Sequence, residues 1–404
     1  MIIGRQRVLA IAASFLVIVF TIAGRMAGGE GKRERTYEDL GSFTEVLQLV
    51  NSSYVDEVDE DSLMVGAFRG MLASLDPQSG WLSPAEVKDL LAEDQPRAGT
   101  GIEATKRGGY AYVVAIRQGS PAEKAGVHVG DYIRTLDNAS TREMSIFQVR
   151  RALSGKPGTI LKVNLFGDGE GRVVDVKREV FDSPAITTTL RPGGLLVIKV
   201  NYLEPPTITA LRKSLTTPPG PFSQVLLDLR NMVGGDREDG VALADLFLNS
   251  GVIVKVETRK EPQSSIQADA AQAWGGRLAV LVNGMSAGPV EIAVAALKGN
   301  SRARVLGEST GGDASVQKLI RLPDESAVIL SVGRYLSPGG STWADKGIEP
   351  DVKVLARAAA DGGADAGGPG GAPSARPEPG APDLQLEGAV EILKRGESAT
   401  KTAA

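Results

Sequence analysis

Val282-Asn283-Gly284-Met285-Ser286-Ala287-Gly288-Pro289-Val290-Glu291-Ile292 changes its period part-way along. The apolar run Leu278 to Val282 enters it as a strand, and Val290 to Leu297 leaves it as a helix with Pro289 in the first turn, where a proline is tolerated. The same alternation recurs upstream. Leu195 to Val200 and Val225 to Leu229 read as apolar strands, and Thr207 to Leu215 and Gly240 to Leu248 as helices. Strand and helix in turn, each needing the other to bury its apolar side, argue for an α/β core.

Further upstream, between Gly99 and Val180, the pattern shifts to short alternating strands such as Tyr110 to Ile116 and Ile160 to Phe166, punctuated by Gly and Pro. One helix interrupts them, from about Met144 to Leu153, with Ile146, Val149 and Leu153 on one stripe. Before this lie amphipathic helices. Leu40, Phe43, Val46, Leu47, Val50 and Tyr54 keep a helical period, as do Leu63, Ala67, Gly70, Met71 and Leu75 until Asp76-Pro77 stops them. Ser83-Pro84-Ala85-Glu86 has the cap, proline and glutamate of a third helix start. Asp361 to Pro382 holds 7 Gly and 5 Pro in 22 residues, the composition of a linker, and Leu384 to Lys394 reads as a short helix beyond it.

Val8 to Gly24 carries no charge and follows Arg5 and Arg7, which is the pattern of a signal peptide or an uncleaved signal anchor. As a helix it is about 26 Å long, just under a hydrocarbon core. The anchor is the reading adopted, with the rest of the chain outside the cytoplasm.

Composition narrows the chemistry. The 404 residues include no cysteine and one histidine, His128, so thiolate nucleophiles, iron-sulfur clusters and sites needing two histidines are excluded. A hydrolase built here takes its base from Lys, Asp, Glu or a metal-bound water. Net charge is -4, with 45 basic against 49 acidic residues, which gives no sign of a nucleic-acid surface. No cofactor or metal site is expected. His128 falls in a turn and reads as a solvated histidine.

Gly119-Ser120-Pro121-Ala122-Glu123-Lys124-Ala125-Gly126, followed by Gly130-Asp131-Tyr132-Ile133, resembles the PDZ domains of envelope proteases. That resemblance implies a glycine-rich loop, here Gly99-Thr100-Gly101-Ile102, whose amides receive a peptide's C-terminal carboxylate. Ile146, Val149 and Leu153 would line the groove for an apolar side chain; the same stripe is equally that of a core helix.

Asp228-Leu229-Arg230-Asn231-Met232-Val233-Gly234-Gly235, the segment quoted first, and Gly307-Glu308-Ser309-Thr310-Gly311-Gly312-Asp313-Ala314-Ser315-Val316-Gln317 together resemble the carboxyl-terminal processing peptidases, or tail-specific proteases. Leu75 to Pro84, Tyr335 to Gly340 and Gly347 to Asp351 extend the resemblance in order from about Tyr37 to Val354. It implies a crotonase-like α/β core with a β-rich PDZ domain and an N-terminal helical leader. The expected boundaries are a signal segment at 1-26, leader at 36-95, PDZ domain at 96-180, core at 181-357, linker at 358-382 and C-terminal helix at 383-396.

The family works by a Ser-Lys dyad. Its nucleophile lies three residues before the Glu of Ser-Ala-Ser-Ala-Ser-Glu-Ile, and 291 - 3 = 288, which is Gly288. Its base lies four residues before the Gln of Thr-x-Gly-Lys-Gly-x-x-Gln, and 317 - 4 = 313, which is Asp313. The separation, 313 - 288 = 25, is the family's own, so no gap restores either residue. Gln317, resembling the orienting glutamine, is retained, as are Gly234 and Gly235, whose amides would form part of an oxyanion hole. Val233 and Pro289 depart from the family pattern, and Ser154 stands where the family has an Arg before Gly155-Lys156-Pro157-Gly158.

The expectation is therefore a pseudoprotease of the cell envelope that binds protein C-terminal tails or pairs with an active homologue and regulates it. The alternatives are an active serine endopeptidase with a rearranged nucleophile, Ser286 being the candidate and Lys318 a substitute base, and a relic kept for assembly. Partners are peptide C-termini, an active homologous protease and, through the anchor, a membrane.

Overall fold

The computed structural model describes residues 41–92, 98–167, 169–269, 273–355 and 382–402. The expected anchor and nearly all of the expected linker lie outside them. Among the described residues no helix is long and apolar enough to cross a membrane. The chain divides into two compact units, 1–68 and 69–404. In the first, residues 41–53 are helical as the periodicity predicts, and Phe43, Val46 and Leu49 of that helix are exposed.

The second unit is built on two sheets and a PDZ-like module. The central sheet runs Ile186–Arg191, Leu195–Val200, Gln224–Asp228, Arg277–Val282, Arg304–Gly307, Val352–Lys353, parallel throughout except for the first pair. Its inner strands Leu195–Val200, Gln224–Asp228 and Arg277–Val282 are apolar on both faces, as parallel strands covered on both sides must be. Leu196, Ile198, Leu227, Val280 and Val282 pack beneath the helices Arg237–Asp245 and Pro289–Gly299. The alternate residues Leu195, Val197, Leu226, Ala279, Leu281 and Leu306 face the helix Leu384–Thr402 through Ala389 and Val390. That helix is further fixed by Arg230, whose Nη2 meets both Asp228 Oδ2 at 2.7 Å and Asp383 Oδ2 at 2.6 Å.

A second, antiparallel sheet was not legible as such. Ala327–Leu336 is its hub, pairing with Ser315–Arg321, Gly80–Leu82 and Val252–Thr258, and the last of these pairs with Ser264–Gln267. The expected leader is thus divided. Its Ser83 start is present with a reciprocal Ser83/Glu86 capping box, while the Gly80–Leu82 strand just before it belongs to the core. Trp81 anchors that strand by donating from Nε1 to Ser326 Oγ at 3.2 Å.

The PDZ-like module is an antiparallel sheet ordered Ile102–Arg107, Tyr110–Ile116, Tyr132–Leu136, Ile160–Gly167, Gly169–Lys177, against which the helix Ile146–Leu153 packs. Ser145 and Gln148 cap that helix reciprocally, and Gln148 Nε2 also donates to the Trp81 carbonyl at 3.1 Å, which joins the module to the core.

Candidate functional site

The turn that closes Arg277–Val282 and opens Pro289–Gly299 is sharp, and Gly288 sits at its apex with φ 74° and ψ -130°. That backbone is costly for any residue bearing a Cβ, so glycine relieves strain here. A Cβ built on Gly288 would lie 3.8 Å from Asp313 Oδ2, at van der Waals distance. The two positions reached by counting along the chain are therefore opposed in space.

What holds them is Glu291. It is completely buried and accepts four hydrogen bonds. Oε2 receives the amides of Gly288 at 2.9 Å and Asp313 at 2.8 Å; Oε1 receives the Gly312 amide at 2.8 Å and the Thr310 hydroxyl. Thr310 Oγ1 in turn accepts the Ile348 amide at 2.7 Å. One carboxylate thus ties the turn to the 310–313 loop. Asp313 Oδ1 is occupied by the amide and hydroxyl of Ser315, at 3.2 and 2.6 Å.

Ser286 is not available for chemistry in this arrangement. It is 0% exposed; its hydroxyl donates to the Leu229 carbonyl at 2.9 Å and accepts the Asn283 amide at 3.1 Å. The serine named in the alternative reading as a substitute nucleophile is a turn brace, its hydroxyl bonded to backbone groups on both sides. Gln317 and Lys318 are exposed on Ser315–Arg321, just beyond a register shift between Val316 and Gln317. Neither lines the cleft that Asp313 lines.

Two cavities meet at this place. One, of about 530 Å³, is lined by Asp313, Ala287 and Met285 of the core and by Thr105, Lys106 and Ile146 of the PDZ-like module. The other, of about 430 Å³, has the Gly99–Ile102 loop on one wall and Gly234 and Gly235 on the other. The expected oxyanion glycines therefore face the carboxylate-type loop rather than the cleft of Asp313. The expected groove stripe is largely core: Val149 is 0% exposed and Leu153 4%, although Ile146 reaches the first cavity and Leu153 the second.

Arg150 and Val233 line both cavities and divide them. Arg150 Nη2 donates to the Val233 carbonyl, and Val233 packs under Tyr112 and Val114 of the PDZ-like sheet. Burial holds the Arg150 guanidinium below its usual pKa, against the opposing pull of Glu103, Asp313 and Asp236. A second bridge runs beside it: Arg117 meets Glu103 at 2.8 Å and also Glu204 of the core, with its guanidinium over the Tyr202 ring. Sequence reasoning passed over Arg150 and Glu291. A signal existed for the first: it lies one helical turn before Ser154, the position where the resemblance asks for an arginine. Replacing Arg150 by Met should free the 232–235 loop. A charge-assisted bond of about 1.5–3 kcal/mol is lost, so amide exchange at Val233, Gly234 and Gly235 should quicken by about 10- to 100-fold, read by exchange mass spectrometry.

Comparison with known proteins covers most of the chain. Residues 206–354 match the family described as Peptidase family S41, 112–164 match the PDZ domain, and 22–83 match the N-terminal domain of the activating protease CtpB. A carboxy-terminal-processing protease of Bartonella bacilliformis is 28% identical over 354 residues, covering 85% of this chain and 80% of the relative. The carboxy-terminal processing protease CtpA of Bacillus subtilis is 27% identical over 355 residues, covering 85% of this chain and 75% of the relative. Among solved structures, a photosystem II D1 C-terminal processing protease superposes with TM-score 0.61 at 27% identity, over 78% of this chain and 92% of that one.

Proposed function

Because the chain belongs to the carboxy-terminal processing peptidases and carries their PDZ domain, we propose that it is a member that binds polypeptide tails without cutting them. One observation carries the reading. Position 288, which the family fills with a nucleophile, has no side chain, and the group 3.8 Å from where its Cβ would be is a carboxylate rather than an amine. A carboxylate can accept a proton, but glycine has none to give, so no attacking oxygen forms.

Binding needs less than cleavage does. The Gly99–Ile102 loop, the two cavities and the Arg150–Val233 division remain as a track along which an extended tail would lie. Held in the cell envelope by the Val8 to Gly24 segment, such a chain would sequester flexible C-termini from an active homologue and so restrain it. The rival reading, an endopeptidase using Ser286, has no support from that residue's buried, doubly bonded hydroxyl.

The test is direct. Full-length protein incubated with fluorescent peptides of apolar, flexible C-terminus should bind them, as read by anisotropy, and yield no new products by mass spectrometry. Substituting Gly101 by Val should weaken binding by about tenfold or more, since Gly101 has φ 83° and an added Cβ would meet Ser120 Cβ at 2.1 Å. Products that disappear in Ser286→Ala would overturn the reading.

A further inference from the structure

We propose that the outer face of the PDZ-like sheet, where the rings of Tyr110, Tyr132 and Phe166 carry Arg134 and Arg142, docks an acidic segment of a partner polypeptide.

The face follows from alternation along three neighbouring strands. Ala111, Ile133 and Leu165 point inward and pack with the helix Ile146–Leu153, so Tyr110, Tyr112, Tyr132 and Phe166 point outward. The core covers part of that side. Tyr112 and Val114 are buried against Val233, while Tyr110, Tyr132 and Phe166 stay half-buried. Their rings form a continuous row: Tyr110 meets Phe166 edge-on at 5.0 Å, Phe166 stacks on Tyr132 at 5.2 Å, and Tyr132 meets Tyr112 at 4.9 Å.

Three guanidiniums rest on this row. Arg142 lies over Tyr110, Arg134 over Phe166 and Arg107 over Tyr112, each 5.2 Å from the ring centroid. A ring holds a guanidinium in place without cancelling its charge. Among the described residues, the exposed Arg134 and Arg142 form no ion pair and donate no hydrogen bond. The carboxylates nearby are engaged elsewhere: Asp131 meets Arg172 at 2.6 Å and Asp175 meets Lys162 at 3.5 Å, while Glu143, next to Arg142 in the chain, pairs with neither arginine. Arg107 stands at the edge, where it also lines the cleft with Asp76, Asp313 and Asp345, so Arg134 and Arg142 carry the charge of the face. That charge reaches its neighbours. The pKa of the half-buried Lys106 ammonium is pushed down to about 8, by burial first and by the Arg142 charge second.

The chemistry selects the occupant. A guanidinium laid on a ring offers its N–H donors at the rim, in the fork that the two oxygens of a carboxylate match. Tyrosine and arginine are also the side chains enriched at the centres of protein interfaces, whereas a membrane surface draws on clusters of about four to eight lysines and arginines. Except at Arg107, the face lines neither of the two cavities, so it is separate from the track proposed for the tail.

The experiment uses the full-length chain and a fluorescent peptide of glutamate, glycine and serine with an amidated C-terminus, beside its glutamine counterpart. At low salt the glutamate peptide should bind about fivefold more tightly, and raising the ionic strength to about 1 M should erase the difference. Arg134→Gln with Arg142→Gln should abolish the preference without lowering the melting temperature, whereas Lys213→Gln with Lys260→Gln, which removes the same charge from exposed positions elsewhere, should keep it. Equal binding of the two peptides by the parent, or a preference that survives in the arginine variant, would overturn the proposal. Phosphatidylglycerol vesicles that bind the parent and not the arginine variant, with no binding of the glutamate peptide, would overturn it in favour of a lipid surface. Since the probe has no free C-terminus, each of these failures leaves tail binding standing.

Discussion

A chain carrying Gly288→Ser together with Asp313→Lys should cut peptides that, on the proposed tail-binding reading, the parent chain leaves intact. The 3.8 Å separation between the built Cβ and the Asp313 carboxylate places a serine hydroxyl within reach of a residue at 313. Restoring a base beside a nucleophile contributes on the order of 100- to 10,000-fold, so the double variant should exceed either single one by at least about 100-fold. The cost is local. A serine forced to φ 74° and ψ -130° carries about 1–3 kcal/mol of strain, so the melting temperature should fall by several degrees. Mass spectrometry of products and a thermal scan check both parts. A folded double variant that binds but makes no product would mean that the 232–235 loop, bound to Arg150, no longer supplies an oxyanion site.

Removing Glu291 should be the most damaging single substitution in the core. Glu291→Ala strands the Thr310 hydroxyl and the amides of Gly288, Gly312 and Asp313, and buried donors without partners cost about 1–3 kcal/mol each. With partial relaxation the loss should be about 4 kcal/mol, or roughly 10 °C in melting temperature. The same residue gives a pH signature. Burial pushes its carboxyl up to about 7 despite the four donors, from an ordinary 4.5. Between those values the folded state keeps a proton that the unfolded chain has released, so stability should fall as pH rises from 4.5 to 7 and level off above. The full drop is on the order of 3 kcal/mol. Denaturant unfolding across this range should lose that slope in Glu291→Gln; an unchanged slope would assign it to other groups.

The α/β core was legible because its strands and helices carry contrasting periods. That positions 288 and 313 lie together follows the 25-residue separation expected from the resemblance, and a Cβ at 288 would stand 3.8 Å from Asp313 Oδ2. The second sheet was not legible, since Gly80–Leu82 and Val252–Thr258 both pair with Ala327–Leu336 from far away in the chain, and pairings that distant leave no local pattern. Ser286, the candidate of the alternative reading, could not be judged from sequence for a related reason. A serine two residues from the apex looks reactive on paper, and only the turn reveals that its hydroxyl faces the Leu229 carbonyl. Arg150 was missed because an arginine on an amphipathic helix reads as solvated until another domain covers it.

The helix Leu384–Thr402 has an implication for how the protein comes into being. It closes a whole face of the central sheet, and through Asp383 it grips Arg230, directly before the Asn231–Gly235 segment. In synthesis it follows every strand that it shields. Until it has emerged and docked, Leu195, Val197, Leu226, Leu281 and Leu306 form an open apolar surface, so a chain interrupted in the linker would be marked for chaperones and proteases by its own unfinished face.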